Sequence, residues 1–266
     1  MDFVKHAFGR VNSAVKANPI TIWFPMLFGA TVWVFYLLLF LILVTPAIPD
    51  LLELDALAAS GEVLYNAAPA AAALLVVALV IFMAQTSGVL GLRAAALRGG
   101  TLEARHFFAS IKKYFLRLSL VHLGMLAVQA VPLLLTWMII NVGPWRGRMT
   151  GGDPETVFAV LAPFMAVLPL IMAAVHIILA MWPVVLVLED GGVLGSFRRA
   201  WRFFRQNFRS VSSVIMWGWV INLVSRMILE GSAIGQLLHM GWSFVITSYM
   251  SLILMVMYTS SGSSAH

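Results

Sequence analysis

The chain has 266 residues, of which 61% are hydrophobic and only 11% charged, with a mean hydropathy of +0.95 and a formal net charge of +6. A water-soluble domain of this length needs far more charge to solvate its surface, so a soluble globular protein is excluded. Cysteine is absent, which removes a disulfide framework and any thiolate metal site.

The apolar residues fall in long blocks: Ile20–Val44, Ala68–Leu90, Leu116–Val142, Thr156–Leu188, Val211–Leu229 and Met240–Tyr258. Each is near or above the roughly 20 residues a helix needs to cross ~30 Å of hydrocarbon. Lipid admits only helices and closed barrels, and blocks this long are not strands. The expected fold class is therefore all-α, a polytopic membrane protein with six transmembrane helices. The first block is too long for the apolar core of a cleavable signal peptide and reads as a signal anchor.

Most of the basic residues lie in three places. These are the N-terminus (Lys5, Arg10, Lys16), the connection 93–117 (Arg93, Arg98, Arg105, Lys112, Lys113, Arg117) and the stretch 198–209 (Arg198, Arg199, Arg202, Arg205, Arg209). The connection 45–66 carries Asp50, Glu53, Asp55 and Glu62 and no base. By the positive-inside bias the basic regions are cytoplasmic, 45–66 is external, and six crossings leave both termini in the cytoplasm. The mixed loop 143–155 (Arg146, Arg148, Asp153, Glu155) gives no strong vote.

The basic regions also align with one another. One register sets Gly99-Gly100 on Gly191-Gly192, Leu102 on Leu194 and Arg117 on Arg209; another sets Ala7 on Ala104, Lys16 on Lys113 and Asn18 on Asn207. This predicts one membrane domain, 1–259, of three repeated hairpins (about 1–92, 93–190 and 191–259), with 260–266 excluded as a tail. Each hairpin is introduced by an amphipathic helix lying in the headgroup layer. In the first, Val4, Phe8, Val11 and Val15 share a face. In the second, Ala104, Phe108, Ile111 and Phe115 do so, with Thr101 as cap and Glu103 in the first turn. In the third the apolar stripe is Phe197, Ala200, Trp201, Phe204 and Phe208, opposite the arginines. The glycine pairs supply the tight turns into the second and third helices.

Arg198, Arg199, Arg202, Arg205, Lys112 and Lys113 are the candidate binders of anionic phospholipid headgroups, at ~1 kcal/mol for each base near the surface. The competing reading is that these helices only connect crossings. Nucleic acid is not an expected partner despite a pI of about 10.1, because the bases sit beside membrane segments and no separate basic domain exists.

Ionisable residues inside spans are functional candidates because burying them is costly. His122 lies roughly 9 Å into the third span and His176 roughly 18 Å from the end of the fourth, at 1.5 Å per residue. Together they define a possible transport path between helices 3 and 4; the plainer reading is a hydrogen bond to a neighbouring helix. Arg226 reads as a snorkelling anchor. Pro163, Pro169 and Pro183 crowd the fourth block and Pro25 and Pro132 interrupt the first and third, a pattern shared by broken transporter helices and by membrane helices in general. Glu189-Asp190 is expected to pair with Arg198 or Arg199. No metal site, cofactor site or catalytic motif is recognisable: HExxH, GxSxG and the phosphate-binding lysine loop are all missing from the sequence.

Trp182-Pro183 through Leu188-Glu189-Asp190-Gly191-Gly192-Val193, then Ser196-Phe197-Arg198-Arg199-Ala200-Trp201 and Arg205-Gln206-Asn207, resembles the membrane domain associated with bacterial glycerophosphodiester phosphodiesterases and related multipass proteins. The Asn18-Pro19 and Gly99-Gly100-Thr101-Leu102 turns follow the same pattern. The resemblance implies a six-helix protein of the bacterial inner membrane. It implies no catalysis, since the phosphodiesterase activity belongs to a separate soluble barrel that this chain lacks. The leading expectation is a non-enzymatic, lipid-interacting protein, either a lipid-binding or translocating factor or an accessory subunit. A small-solute or proton-coupled transporter is the alternative, and a scaffold for a membrane-protein partner the third.

Overall fold

The computed structural model describes residues 2–44, 60–99, 102–142, 154–229 and 232–262. Among these, all regular structure is helical: α1 (Asp2–Ala17), α2 (Ile20–Val44), α3 (Ser60–Leu97), α4 (Ala104–Val142), α5 (Pro154–Leu179), α6 (Met181–Glu189), α7 (Val193–Gln206), α8 (Phe208–Leu229) and α9 (Ala233–Gly262). The acidic residues Asp50, Glu53 and Asp55, the Thr101 cap and the loop bases Arg146 and Arg148 lie outside the described residues.

Five stretches are long and apolar enough to cross a membrane: Ala72–Leu97, Ala104–Met138, Ala166–Glu189, Phe208–Leu229 and Gly241–Ser261. A sixth is added if His6–Ala17 and Ile20–Tyr36, bent by 70°, form one broken span. The expected six crossings thus stand as five, or six with that pair.

Helix lengths and breaks follow local chemistry. At 1.5 Å per residue, α4 with its 39 residues is roughly 58 Å long, about twice the hydrocarbon thickness. The separate interfacial helix expected before the third crossing is therefore not separate; it runs straight into the span. The register that aligns Asn18 with Asn207 places Phe115 at the corresponding point of α4. Asn18 and Asn207 each stand at a helix break, whereas Phe115 lies in unbroken helix. Asparagine competes with the helical ladder through its own side chain, and Asn207 Nδ2 does so by donating to the Phe203 carbonyl at 3.1 Å. Phenylalanine has no such alternative.

The fourth block is also divided. A turn at Ala180 separates α5 from α6, and Pro183 explains its place. Its ring removes the N–H that would reach the Leu179 carbonyl and crowds that carbonyl. At the turns, Gly99 takes the positive φ (83°) expected of it, but at the α6–α7 corner the left-handed residue is Asp190 (φ 53°) and Gly192 is an extended N-cap. Of the residues excluded as a tail, Ser260–Gly262 continue α9, and Arg10 donates to Ser260 Oγ at 3.2 Å.

The chain forms two compact units, Asn12–Phe115 and Met1–Val11 with Leu116–His266. The core of the Asn12–Phe115 unit is Val89, Leu92 and Phe107, with Phe24, Phe28, Leu102 and Ile111 packed on it. Phe107 meets Phe24 and Phe28 edge-on at 5.3 and 5.0 Å. Gly88 and Gly91 face Phe107 and Ser110; small residues at such spacing let helices approach without a hydrophobic driving force from water. The expected apolar face of this segment is rotated: Phe107 and Tyr114 are buried, while Phe108 is half exposed.

In the larger unit, Val184–Val187 of α6 and Leu252–Met257 of α9 are all buried. Trp182 packs edge-on against Phe197 at 4.9 Å and donates its indole N–H to the Val193 carbonyl at 2.9 Å. One aromatic thereby sets the α6–α7 corner.

Candidate functional site

The basic helix α7 has three distinct faces. Ser196, Ala200, Phe203 and Phe204 are buried, at i, i+4, i+7 and i+8. Phe203 packs on the Tyr258 ring at 5.1 Å. Arg198, Arg202 and Arg205 are exposed, and Arg209 continues their side at the start of α8. Leu194 and Trp201, with Phe208 seven residues further on at the start of α8, form a third face that is 75%, 40% and 56% exposed. The expected stripe Phe197–Phe208 is thus split. Ala200 and Phe204 turn inward, joined by Phe203, while Trp201 and Phe208 turn outward. Periodicity cannot separate an apolar face that packs on protein from one that meets lipid.

The acidic pair at the corner is engaged. Glu189 accepts from Tyr258 and forms an ion pair with Arg199, one of the two partners expected. Arg199 is therefore committed to the protein, leaving Arg198, Arg202 and Arg205 as the headgroup candidates of α7. Asp190 pairs instead with Arg117 of α4, Nη1 to Oδ1 at 2.9 Å, a partner the sequence did not suggest. Both side chains of that pair are about 40% exposed, so the bond is worth at most ~1 kcal/mol. Asp190 also carries the strain of its positive φ. Asp190→Gly should consequently be nearly neutral, since it removes strain and ion pair together. Asp190→Ala should cost about 1–2 kcal/mol, because it loses the ion pair and keeps an unfavourable φ. Thermal unfolding of both variants in detergent checks this; equal losses would contradict it.

Lys112 and Lys113 lie exposed on α4, and Lys113 Nζ sits 5.1 Å from the Tyr114 ring centroid. His122 Nδ1 lies 2.7 Å from the Leu118 carbonyl oxygen of its own helix. His176 of α5 instead packs against the Trp219 ring of α8 at 5.7 Å. Each histidine has its own partner.

A cleft that the sequence does not signal lies between α8 and α9. It has a volume of ≈ 440 Å³, within the ~300–1,000 Å³ of small-molecule sites. On α8 it is lined by Ser213, Val214, Trp217, Gly218 and Ile221, on α9 chiefly by Trp242, Val245, Ile246, Tyr249 and Ile253, with Phe8 of α1 completing it. The α9 positions follow i, i+3, i+4, i+7, i+11, which is helical spacing. That spacing is legible, but in a span every face is apolar, so it marks nothing. Past Ile221 the same two helices are joined by Ser243 donating to Asn222 Oδ1 and by Ser225 bonded to His239 Nδ1 at 3.1 Å. Such interhelical bonds hold membrane helices together, at about 0.6 kcal/mol each.

Long apolar helices in succession, with outward-facing leucines, tryptophans and methionines, define a multipass helical membrane protein. Residues 3–261 match the family described as a domain of unknown function, DUF7847. The chain belongs to that family. No curated protein and no solved structure matches it.

Proposed function

We propose that this is a non-enzymatic protein of the bacterial inner membrane that binds anionic phospholipid through basic helices at the cytoplasmic surface. It would serve as a lipid-binding or translocating factor, or as an accessory subunit of another membrane protein. The observation that carries the reading is the outward side of α7. There the exposed stripe Leu194, Trp201 and Phe208 runs beside the exposed Arg198, Arg202 and Arg205, while the opposite side is packed on protein. An apolar stripe flanked by bases is what a helix in the headgroup layer requires. Arg10 of α1 and Lys112 and Lys113 of α4 are likewise exposed, and the positive-inside bias assigns such bases, and with them both termini, to the cytoplasmic side. The paired breaks at Asn18 and Asn207 support the repeated hairpins. The likeness to the phosphodiesterase-associated membrane domain agrees with this architecture and location and adds no chemistry.

The transport reading takes second place, because His122 and His176 are engaged with different partners. A test of the lipid reading uses nanodiscs of equal parts phosphatidylglycerol and phosphatidylcholine. The triple change Arg198→Gln, Arg202→Gln, Arg205→Gln removes about 3 kcal/mol of attraction. Enrichment of phosphatidylglycerol around the protein should fall on the order of 100-fold, and the loss should shrink as salt is raised. Unchanged lipid selectivity in the triple variant would count against headgroup binding by α7.

A further inference from the structure

The cleft between α8 and α9 is chemically different at its two ends. Ser213, Trp217 and Ile221 line it at i, i+4 and i+8, and Arg209 stands one turn earlier on the same stripe, exposed. Arg209 lies in the first turn of α8, where backbone N–H groups and the helix dipole add positive potential. No acidic partner of Arg209 occurs among the described residues. Phe8, which lines the cleft, lies two residues before Arg10, itself bonded to Ser260 near the end of α9. At the other end the Asn222–Ser243 and Ser225–His239 bonds tie the helices together just beyond Ile221. Between the ends the lining is mostly apolar, with the Ser213 hydroxyl, the Tyr249 phenol and the Trp217 and Trp242 indoles as its polar-bearing side chains. The arrangement is an apolar slot with a cation at one end.

We infer that this slot holds one acyl chain of an anionic glycerophospholipid, with the lipid phosphate at Arg209 beside the first turn of α8. The inference rests on the lipid-binding reading but makes a separate claim: a single retained lipid at a fixed place, distinct from lipid enriched around α7. A detergent or a free fatty acid would fill the slot but leave Arg209 without a phosphate. A helix from a second copy would fill it without any lipid.

The test is native mass spectrometry of the full chain released from nanodiscs of equal parts phosphatidylglycerol and phosphatidylcholine. One phosphatidylglycerol should stay bound to the wild type. Arg209→Glu should cut its retention by at least about tenfold, and Ile221→Trp, which fills the slot, should abolish it. The triple glutamine variant of α7 should keep it. Loss in the α7 variant with retention in Arg209→Glu would overturn the inference while sparing the lipid-binding reading; the reverse pattern supports the slot alone. Should Ile221→Trp not fold, wild-type protein is photolysed with phosphatidylglycerol bearing a mid-chain diazirine. Cross-links within 213–221 and 242–253 are expected. Labels confined to other helices, or a dimer released without lipid, would overturn it.

Discussion

Replacing Gly88 with valine should destabilise the Asn12–Phe115 unit by about 3 kcal/mol, the upper part of the range for overpacking. A Cβ built on Gly88 lies 2.5 to 2.7 Å from three carbons of the Phe107 ring. That ring cannot retreat. Phe107 is fully buried, and Phe24, Phe28 and Phe108 surround it at 5.3, 5.0 and 5.5 Å. Since packing, rather than water exclusion, holds helices together in lipid, a wedge here attacks the main source of cohesion. Two comparisons give the prediction its edge. Gly9→Ala in α1 meets nothing within 4 Å, so it should be neutral or stabilise by up to ~1 kcal/mol through helix propensity. Adding Phe107→Leu to Gly88→Val should recover part of the loss, because the two sites share one contact. Unfolding followed by tryptophan fluorescence in detergent reads all three. A Gly88→Val protein as stable as Gly9→Ala would mean that α3 and α4 do not meet at this point.

Glu189→Ala should destabilise the α6–α7 corner by about 1–2 kcal/mol. Its carboxylate joins three elements: the end of α6 that bears it, Arg199 of α7 and Tyr258 of α9. Its removal leaves a guanidinium and a phenol without their acceptor, which costs more than the net worth of either bond. The side chains of Arg199 and Glu189 are 42% and 28% exposed. Solvent screening therefore keeps the loss below the ~3–5 kcal/mol of a fully buried pair. Glu189→Gln can still accept from Tyr258 and should lose about half as much. Arg199→Lys should not be silent, because a point ammonium does not reproduce the planar fork of guanidinium donors. A double-mutant cycle between Glu189→Gln and Arg199→Gln should give a coupling of at least ~0.5 kcal/mol. Coupling indistinguishable from zero would show that the Glu189–Arg199 pair does not hold the corner.

How far the sequence could be read differs by feature. The Glu189–Arg199 pair was within reach because its members are ten residues apart around a visible turn. The Arg117–Asp190 pair and the Tyr258 contact bridge 73 and 69 residues, and no local pattern encodes them. Proline positions alone do not say which of them breaks a helix. Pro183 coincides with a break and Pro132 with none, since α4 runs through it. On α7 the bases divide, with Arg198, Arg202 and Arg205 exposed and Arg199 paired to Glu189, and the apolar residues form two stripes where spacing alone suggests one.

Hydropathy by itself determined that the chain is helical and membrane-embedded, because runs of about 20 apolar residues leave a backbone no other way to satisfy its hydrogen bonds in lipid. Charge placement likewise determined which connections carry the bases. The tertiary structure alone decided which apolar residues face protein: Phe203 and Phe107 rather than Trp201 and Phe108, and the walls of the α8–α9 cleft. In water, burial against protein is what selects apolar residues, so their spacing reveals the core. In a membrane the solvent is as apolar as the core, and spacing alone cannot tell the two apart.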